Sequence, residues 1–354
     1  MVRSIRLALV AGLAFCASGA LAQWWDPMPG GRPPPIGRPM FQTPPEELVY
    51  SPLVYDRAGL VAVESVMNGD FGKPDRMHDE FLKEGRRATH GLFLLESVQM
   101  AWDRQVRVVD AATLRQAVLQ PWEKANPGSR LRKLVEAIAW QRQAWNARGG
   151  GYAGRVPGES MAIFRERLGR ARKALEAAEP EGRESPLWYW VALIVAGSSG
   201  QPEQALSALY EDAAARFPYY HTIHATRMNY LLPQWGGDFD RVDAFVRQVV
   251  ERTRQKDGEA FYAWLYMDVA RKIDGDYLSV TRATWPLMKK GFEDMLARYP
   301  DAHNRNLFAT HACRARDKAT TAKLLAELGP AASLGLDSPG ITTESCRRFA
   351  LEGA

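Results

Sequence analysis

The sequence is poor in cysteine and lacks the short motifs that mark the common catalytic and metal centres. Its three cysteines are far apart, so no Cys-x-x-Cys pair with zinc-ligand spacing occurs. No histidine lies in a His-Glu-x-x-His motif, and neither the Gly-x-Ser-x-Gly elbow nor a phosphate loop ending in Gly-Lys-Ser/Thr is present. We therefore predict no metal and no cofactor. Whether the protein is an enzyme stays open, with binding favoured over catalysis.

Long hydrophobic runs are also missing, apart from one at the start of the chain. Arg3 and Arg6 give a basic start, an apolar stretch follows, and Ala20–Leu21–Ala22 forms a small-x-small exit. This is the anatomy of a cleaved secretory signal over 1–22. The 16 residues from Leu7 to Ala22 fall short of the ~20 needed to cross a bilayer. We therefore expect a periplasmic or secreted protein with no transmembrane segment in the mature chain; an uncleaved anchor or a lipoprotein is the alternative.

No charge of one sign dominates, since the formal net charge is +5. Losing Arg3 and Arg6 with the signal, and no acid, lowers it from +5 to +3. Nucleic-acid binding usually needs a concentrated basic face, so we expect no nucleic-acid partner. Cys16 also leaves with the signal, and Cys313 and Cys346 remain. An even pair in an oxidising compartment predicts a disulfide, with two separate thiols as the alternative.

Proline is concentrated in one segment. Residues 23–52 contain nine prolines and the pair Gly30–Gly31. Such a run cannot keep the hydrogen bonds of a helix, so we predict an extended, polyproline-like linker. It is interpreted as a tether between the cleavage site and the folded body, and a ligand for an aromatic groove on a partner is the alternative.

Sustained two-residue alternation of apolar and polar residues is absent, so we expect no sheet. Apolar residues recur instead every three or four positions, which is typical of amphipathic helices. We predict an N-terminal helical segment over 53–130, a helical-repeat domain over 131–330 and a C-terminal tail over 331–354.

The repeat interpretation depends on a recurring seam between helical hairpins. Hairpins begin near 187, 219, 259 and 302, at intervals of 32, 40 and 43 residues, which bracket tetratricopeptide-type units. Phe217–Pro218 and Tyr299–Pro300 stand at two seams, 82 residues apart, where proline ends one helix and starts the next. We predict an all-α fold, a tetratricopeptide-like helical-repeat solenoid of stacked antiparallel helix pairs with a concave side.

Two sequence motifs resemble a known family. Residues 145–153 read Trp-Asn-Ala-Arg-Gly-Gly-Gly-Tyr-Ala, and residues 230–237 read Tyr-Leu-Leu-Pro-Gln-Trp-Gly-Gly. With the amphipathic helix between them, they resemble a family of bacterial proteins labelled as a domain of unknown function. The resemblance covers about residues 131–253. It implies a tetratricopeptide-like helical fold and no particular activity.

The first motif provides a candidate anion site. Glycines let backbone N–H groups converge on an anion, and Arg148 could add a bidentate contact beside Tyr152. The favoured interpretation is that Arg148 and the three glycines only end a helix and form a turn. For the second motif the favoured interpretation is a tight glycine turn, with Asp238 or Asp240 capping the next helix. Its alternative is a recognition patch of Arg227, Tyr230 and Trp235 on the concave face.

Two further groups of residues have a structural and a functional interpretation. His221 and His224 are one helical turn apart and could begin a metal site with His303 and His311, but hydrogen-bonded histidines are the favoured interpretation. The other group is a run of basic residues on one helix, which is usually a solvated face and alternatively an anion-binding stripe. Its members are Arg165, Arg167, Arg170, Arg172 and Lys173.

A repeat array without a catalytic motif usually recognises other molecules. We expect a protein- or peptide-binding module, with an envelope component as another partner. The alternative is an envelope enzyme, acting on glycans, with an atypical site around Arg148, Tyr152 and Trp235.

Overall fold

A computed structural model describes residues 51–107, 109–151, 153–335 and 340–351. Throughout this described part the regular structure is helical and contains no strand, which confirms the all-α prediction. None of these helices is long and apolar enough to cross a membrane. The predicted signal and most of the proline-rich linker lie outside the described residues.

The chain divides into two compact units. Residues 55–86 and 93–226 form the first, and residues 87–92 and 227 onward form the second. The helices of the first unit are α1 Ser51–Met67, α2 Gly72–Glu84, α3 Leu94–Arg107, α4 Ala111–Leu114, α5 Gln120–Ala125, α6 Arg130–Arg148, α7 Gly158–Ala178, α8 Pro186–Ser198, α9 Glu203–Arg216 and α10 His221–Asn229, whose last turn enters the second unit. Those of the second are α11 Phe239–Asp257, α12 Ala260–Ala270, α13 Tyr277–Val280, α14 Trp285–Arg298, α15 Ala302–Arg314, α16 Lys318–Leu328 and α17 Thr343–Leu351.

The first unit is built around the antiparallel pair α6 and α7, which pack along their whole length. The apolar stripe of α6 is fully buried, including Leu131, Leu134 and Ile138. α7 places Phe164 and Leu168 against it. Helices α3 and α8 also pack on α6. The three-and-four spacing therefore predicted the buried face of both helices.

Each unit contains one helix that is apolar on all sides. In α8 the side chains of Leu187, Tyr189 and Leu193 are fully buried, because α6, α7 and α9 surround the helix. In α12 those of Phe261 and Leu265 are fully buried between α11 and α14. A helix without a polar face requires neighbours on several sides, and both helices have them.

A Tyr–Asp–Arg arrangement recurs in the two units. In the first, Tyr189 donates from its hydroxyl to Asp212, which also accepts from Arg216 one turn later at 3.1 Å. In the second, Tyr266 donates to Asp243 at 2.7 Å, and Arg247 donates to the same carboxylate at 2.7 Å. Each arrangement joins an all-apolar helix to its hairpin partner, α9 or α11.

The C-terminal helix α17 is tied to α15 by the predicted disulfide. Cys313 and Cys346 have sulfur atoms 2.05 Å apart, and Cys346 is fully buried. Successive helices of the second unit also pack on one another, α11 on α12, α12 on α14, α14 on α15, α15 on α16 and α16 on α17. The tail is therefore part of the packed unit.

The segment 87–92 packs inside the second unit through a buried polar cluster. Arg87 pairs with the fully buried carboxylate of Asp257 at 3.3 Å and donates to the Tyr299 hydroxyl at 2.6 Å. Tyr299 in turn donates to Asp257 at 2.7 Å. Tyr299, singled out in the sequence as part of a seam, therefore also holds a charged pair in place.

Candidate functional site

The first unit has a cleft of about 260 Å³ lined mainly by aromatic and proline side chains. We call it the aromatic cleft. Its walls carry the rings of Phe81, Phe93, Phe217, Tyr219 and Tyr220. Pro186, Pro218, Leu82 and Leu95 complete the apolar lining, and Arg216 is the one cation among the lining residues.

The cleft forms where several helices begin or end. α2 ends at Gly85, whose φ of 58° lies in the left-handed region and whose N–H donates to the Phe81 carbonyl at 3.0 Å. The Leu94 N–H donates to the Arg86 carbonyl at 2.9 Å, so α3 starts beside the end of α2. Phe93 lies beside Gly85, where an added Cβ would be 3.9 Å from its ring. Glycine at the left-handed position is what allows the sharp helix end.

The opposite wall comes from the end of α9. Pro218 cannot donate within a helix and disfavours helical geometry at the residue before it. Phe217 accordingly leaves the helix with φ −129° and ψ 60°. The Tyr220 N–H then donates to the Phe217 carbonyl at 3.1 Å, which closes a turn. The Phe217–Pro218 seam of the sequence thus becomes a wall of the cleft.

Hydrogen bonds of the buried His224 ring hold this wall of the cleft in place. The ring of His224 is fully buried and lies 2.8 Å from the Pro218 carbonyl through Nε2 and 3.0 Å from the Tyr210 hydroxyl through Nδ1. A carbonyl only accepts, so Nε2 carries the proton and Nδ1 accepts from the tyrosine. His224 therefore fixes the position of Pro218, a role the sequence left open when it offered this histidine as a metal ligand.

Two of the rings that line the cleft are in contact with each other. Phe93 and Tyr220 are stacked with centroids 5.7 Å apart. The Tyr220 hydroxyl donates to Gln99 at 3.3 Å, so this ring is anchored at the base of α3. Phe93, Phe217 and Tyr219 are half-buried. Half-buried rings with fixed partners give a preorganised apolar surface, which lowers the entropy cost of binding.

The charged groups near the cleft form hydrogen bonds and ion pairs with one another. A hydrogen bond from Tyr189, together with those from Arg216 and the charge of Arg183, lowers the pKa of Asp212. Its carboxylate therefore stays ionised and holds Arg216 in place through the 3.1 Å contact. The lining of the cleft contains no carboxylate, histidine or thiol. Its chemistry suits the burial of apolar groups, since none of these proton-transfer groups faces the space.

The structure places Arg148 at the end of α6. Its Nη1 donates to the Gly149 and Gly151 carbonyls at 3.0 and 2.9 Å. Its guanidinium lies over the ring of Trp145, 5.0 Å from the centroid. These contacts fit the helix-ending interpretation, and an anion-binding role for Arg148 stays a prediction. Tyr152, its predicted neighbour, lies outside the described residues.

The second predicted group, Arg227, Tyr230 and Trp235, lies in the second unit. Tyr230 and Trp235 meet edge to face with centroids 4.8 Å apart, and Trp235 is 37% exposed. Arg227 is only 4% exposed. Of this patch, Trp235 is exposed, Tyr230 is half-buried and Arg227 is buried. A binding role for the three residues stays a prediction.

The glycines of that motif serve a tight turn. Gly236 has a φ of 83°, and a Cβ on Gly237 would come within 1.9 Å of the Leu231 carbonyl oxygen. Asp238 then caps α11 by accepting from the Arg241 N–H at 2.8 Å. The turn-and-cap interpretation of this motif is therefore correct.

Among the described residues, no three His, Cys, Asp or Glu side chains come together in a way that could hold a metal ion. Like His224, His311 is engaged by a tyrosine, with Tyr277 at 3.0 Å. Comparison with protein-family models, with curated proteins and with solved structures finds no match to this chain. The family resemblance therefore stays a prediction, and function has to be argued from geometry.

Sequence reasoning missed the aromatic cleft. Its rings come from positions far apart in the chain, between Phe81 and Tyr220. The one available signal was the clustering of aromatic residues next to helix-breaking residues, as at Gly85, Pro186 and Pro218. Aromatic residues at helix ends lie outside the helix's own buried face, so they can line an opening.

Proposed function

We propose that the protein is an exported helical-repeat module that binds an extended, proline-rich and apolar segment of a partner protein in the aromatic cleft. The observation that carries this proposal is the lining of the cleft, five aromatic rings and two prolines around about 260 Å³. Aromatic-lined grooves recognise polyproline-type segments because such segments are already extended and lose little entropy on binding.

The size of the cleft supports a peptide over other ligands. Pockets that enclose a whole drug-sized molecule measure roughly 300–1,000 Å³, whereas this cleft has about 260 Å³. It suits one or two side chains of a longer ligand. A bound amphipathic helix would need a longer groove, because its anchoring side chains are spread over two turns, or ~10 Å. The described part of the chain also has no strand edge to which a peptide could add.

We also propose that the helices form a stack of antiparallel pairs, as in tetratricopeptide repeats. The recurring Tyr–Asp–Arg arrangement and the packing of successive helices in the second unit support it. Export to the periplasm or outside the cell is supported by the signal-like segment 1–22 and by the Cys313–Cys346 pair. Disulfides persist mainly in oxidising compartments.

The test is a peptide array probed with the purified chain. Twelve-residue peptides would vary in proline, aromatic and charged content, and we expect binding to concentrate on proline-rich apolar sequences. Leu82 lines the cleft and is half-buried, so Leu82→Trp should fill the space and abolish this binding. Leu209 is a half-buried leucine of α9 outside the cleft, and Leu209→Trp is the matched control.

Unchanged binding in Leu82→Trp, with circular dichroism showing an intact fold, would place the peptide site elsewhere. Binding that follows peptide charge and ignores proline content would also contradict the proposal.

A further inference from the structure

The excess of basic over acidic residues in the chain is concentrated in the α6–α7 hairpin. Residues 142–173 contain eight basic residues against two acidic ones, Glu159 and Glu166. The net charge of this segment is therefore +6, while the full chain has +5. We call the segment the basic hairpin. All of it lies in the first unit.

Several of these cations have no anionic partner in the part of the chain that the structure describes. Arg155, Arg165 and Lys173 are exposed and form no ion pair among the described residues. Among the described residues, Arg148 contacts carbonyls and aromatic rings. By contrast, Arg142 is paired with Asp103, Arg170 with Glu166 and Arg172 with Glu176. Cations held close together without counter-charges raise the local potential and attract anions.

Aromatic rings support two of the guanidinium groups. Arg170 lies over Trp140, 4.5 Å from the ring centroid. Arg148 lies between Trp145 and Phe164, at 5.0 and 5.8 Å. Arg170 already donates through Nε to Glu166, and Arg148 donates through Nη1 to two backbone carbonyls. Stacking on a ring leaves the remaining N–H groups of each guanidinium directed outward in its own plane, where they can donate to an oxyanion.

The spacing of the cations favours a chain-like anion. Arg165 and Arg172 are seven residues apart on α7, so they share a face about 10 Å apart. Arg167 and Arg170 lie on the opposite flank of the same helix, on either side of the buried residues Phe164 and Leu168. Cations on two flanks can follow a flexible polymer that bends around the hairpin, whereas a flat bilayer can touch only one flank.

The apolar surface also argues against a membrane. Interfacial segments bury large apolar side chains among the headgroups. The exposed large apolar residues of the described part are Trp235, Val280 and Leu351, and none belongs to the basic hairpin. Attraction there is therefore electrostatic, without an apolar wedge.

We infer that the basic hairpin binds a linear anionic polysaccharide, a sugar chain bearing carboxylate, sulfate or phosphate groups. The choice of a polysaccharide over other polyanions rests on the proposed export, because an exported protein meets the anionic glycans of the cell envelope and its surroundings. The peptide site of the aromatic cleft is separate, so one chain would join a protein segment to a glycan.

The experiment measures binding to heparin, a soluble anionic polysaccharide, by isothermal titration at several salt concentrations. We expect the triple variant Arg155→Gln, Arg165→Gln and Lys173→Gln to weaken binding about tenfold or more. The slope of log K against log salt should fall by about two to three, because each lost contact releases roughly one counterion fewer.

A matched control removes the same charge elsewhere in the same unit. Lys73, Lys83 and Lys124 are exposed and form no ion pair among the described residues. The triple variant Lys73→Gln, Lys83→Gln and Lys124→Gln should keep nearly all of the heparin affinity. Equal losses in the two triple variants would overturn the inference, because net charge alone would then explain binding.

Two further arms test the class of partner. Vesicles containing phosphatidylglycerol and soluble poly-glutamate should bind more weakly than heparin, and tighter binding to either would overturn the choice of a polysaccharide. Cell fractionation tests export separately, so failure of the proposed location and failure of the heparin site are distinguishable. Leu82→Trp should leave heparin binding unchanged.

Discussion

Removal of Arg87 should destabilise the second unit strongly. Its guanidinium pairs with Asp257, whose carboxylate is fully buried, and the Tyr299 hydroxyl bridges the two. In Arg87→Leu the carboxylate would keep the tyrosine but lose the guanidinium that pairs with it. An uncompensated buried charge costs about 3–5 kcal/mol, which is a large fraction of the ~5–15 kcal/mol that stabilises a typical domain.

The double variant Arg87→Leu/Asp257→Leu separates the charge effect from lost packing. With both charges gone, the desolvation penalty disappears, so the double variant should be more stable than Arg87→Leu alone. Urea unfolding gives the free energies, and hydrogen exchange of the α14 and α15 amides shows that the change is local to the second unit. Residues in one network depart from additivity by about 0.5–3 kcal/mol.

A surface pair provides the control for this cycle. Lys290 contacts Asp294 at 2.7 Å, but its side chain is 55% exposed, so Lys290→Met should cost no more than about 1 kcal/mol. If Arg87→Leu lowers the free energy of unfolding by no more than Lys290→Met does, the buried ion pair does not hold the 87–92 segment in place.

Two other predictions concern the second unit. Breaking the Cys313–Cys346 disulfide, with a sequence separation of 33, should cost about 4 kcal/mol by the loop-entropy relation; urea unfolding with and without reductant measures this, and an unchanged midpoint would contradict it. Burial, and then the charge of His303, lowers the pKa of His90 to about 3. Folded His90 is therefore neutral where the unfolded residue, with a pKa of ~6.5, takes up a proton. Its contribution is complete above pH 6.5 and should fall by about 1.4 kcal/mol per pH unit from there towards pH 3; unfolding titrations of wild type and His90→Gln should differ by this slope, and parallel profiles would refute it.

The helices were predictable because their signal is local. Leu131, Leu134 and Ile138 recur at the helical period, and the structure buries all three. The apolar character of α8 and α12 on every side is equally a local property of the sequence, and it requires burial between neighbouring helices. The disulfide followed from counting cysteines. In each case the prediction needed only one stretch of sequence or one pair of residues.

The aromatic cleft was not predictable, because it depends on which helix ends come together. Phe81 and Pro186 are more than a hundred positions apart, and no periodicity relates them. The same holds for His224, whose role depends on the carbonyl of Pro218 behind it. Sequence alone offered this histidine as a metal ligand or a hydrogen-bonded residue, and only its position decides between them.

The two proposed sites differ in how a helical fold makes room for a ligand. Side chains along a packed helix are committed to the core or to solvent, as Phe164 and Arg165 are on α7. At a helix end the backbone turns away, and rings such as Phe93 and Phe217 are half-buried and line the cleft. An apolar ligand therefore fits at the ends, where space is left between helices. A charged polymer needs only an outer surface, so it fits along the length of the basic hairpin.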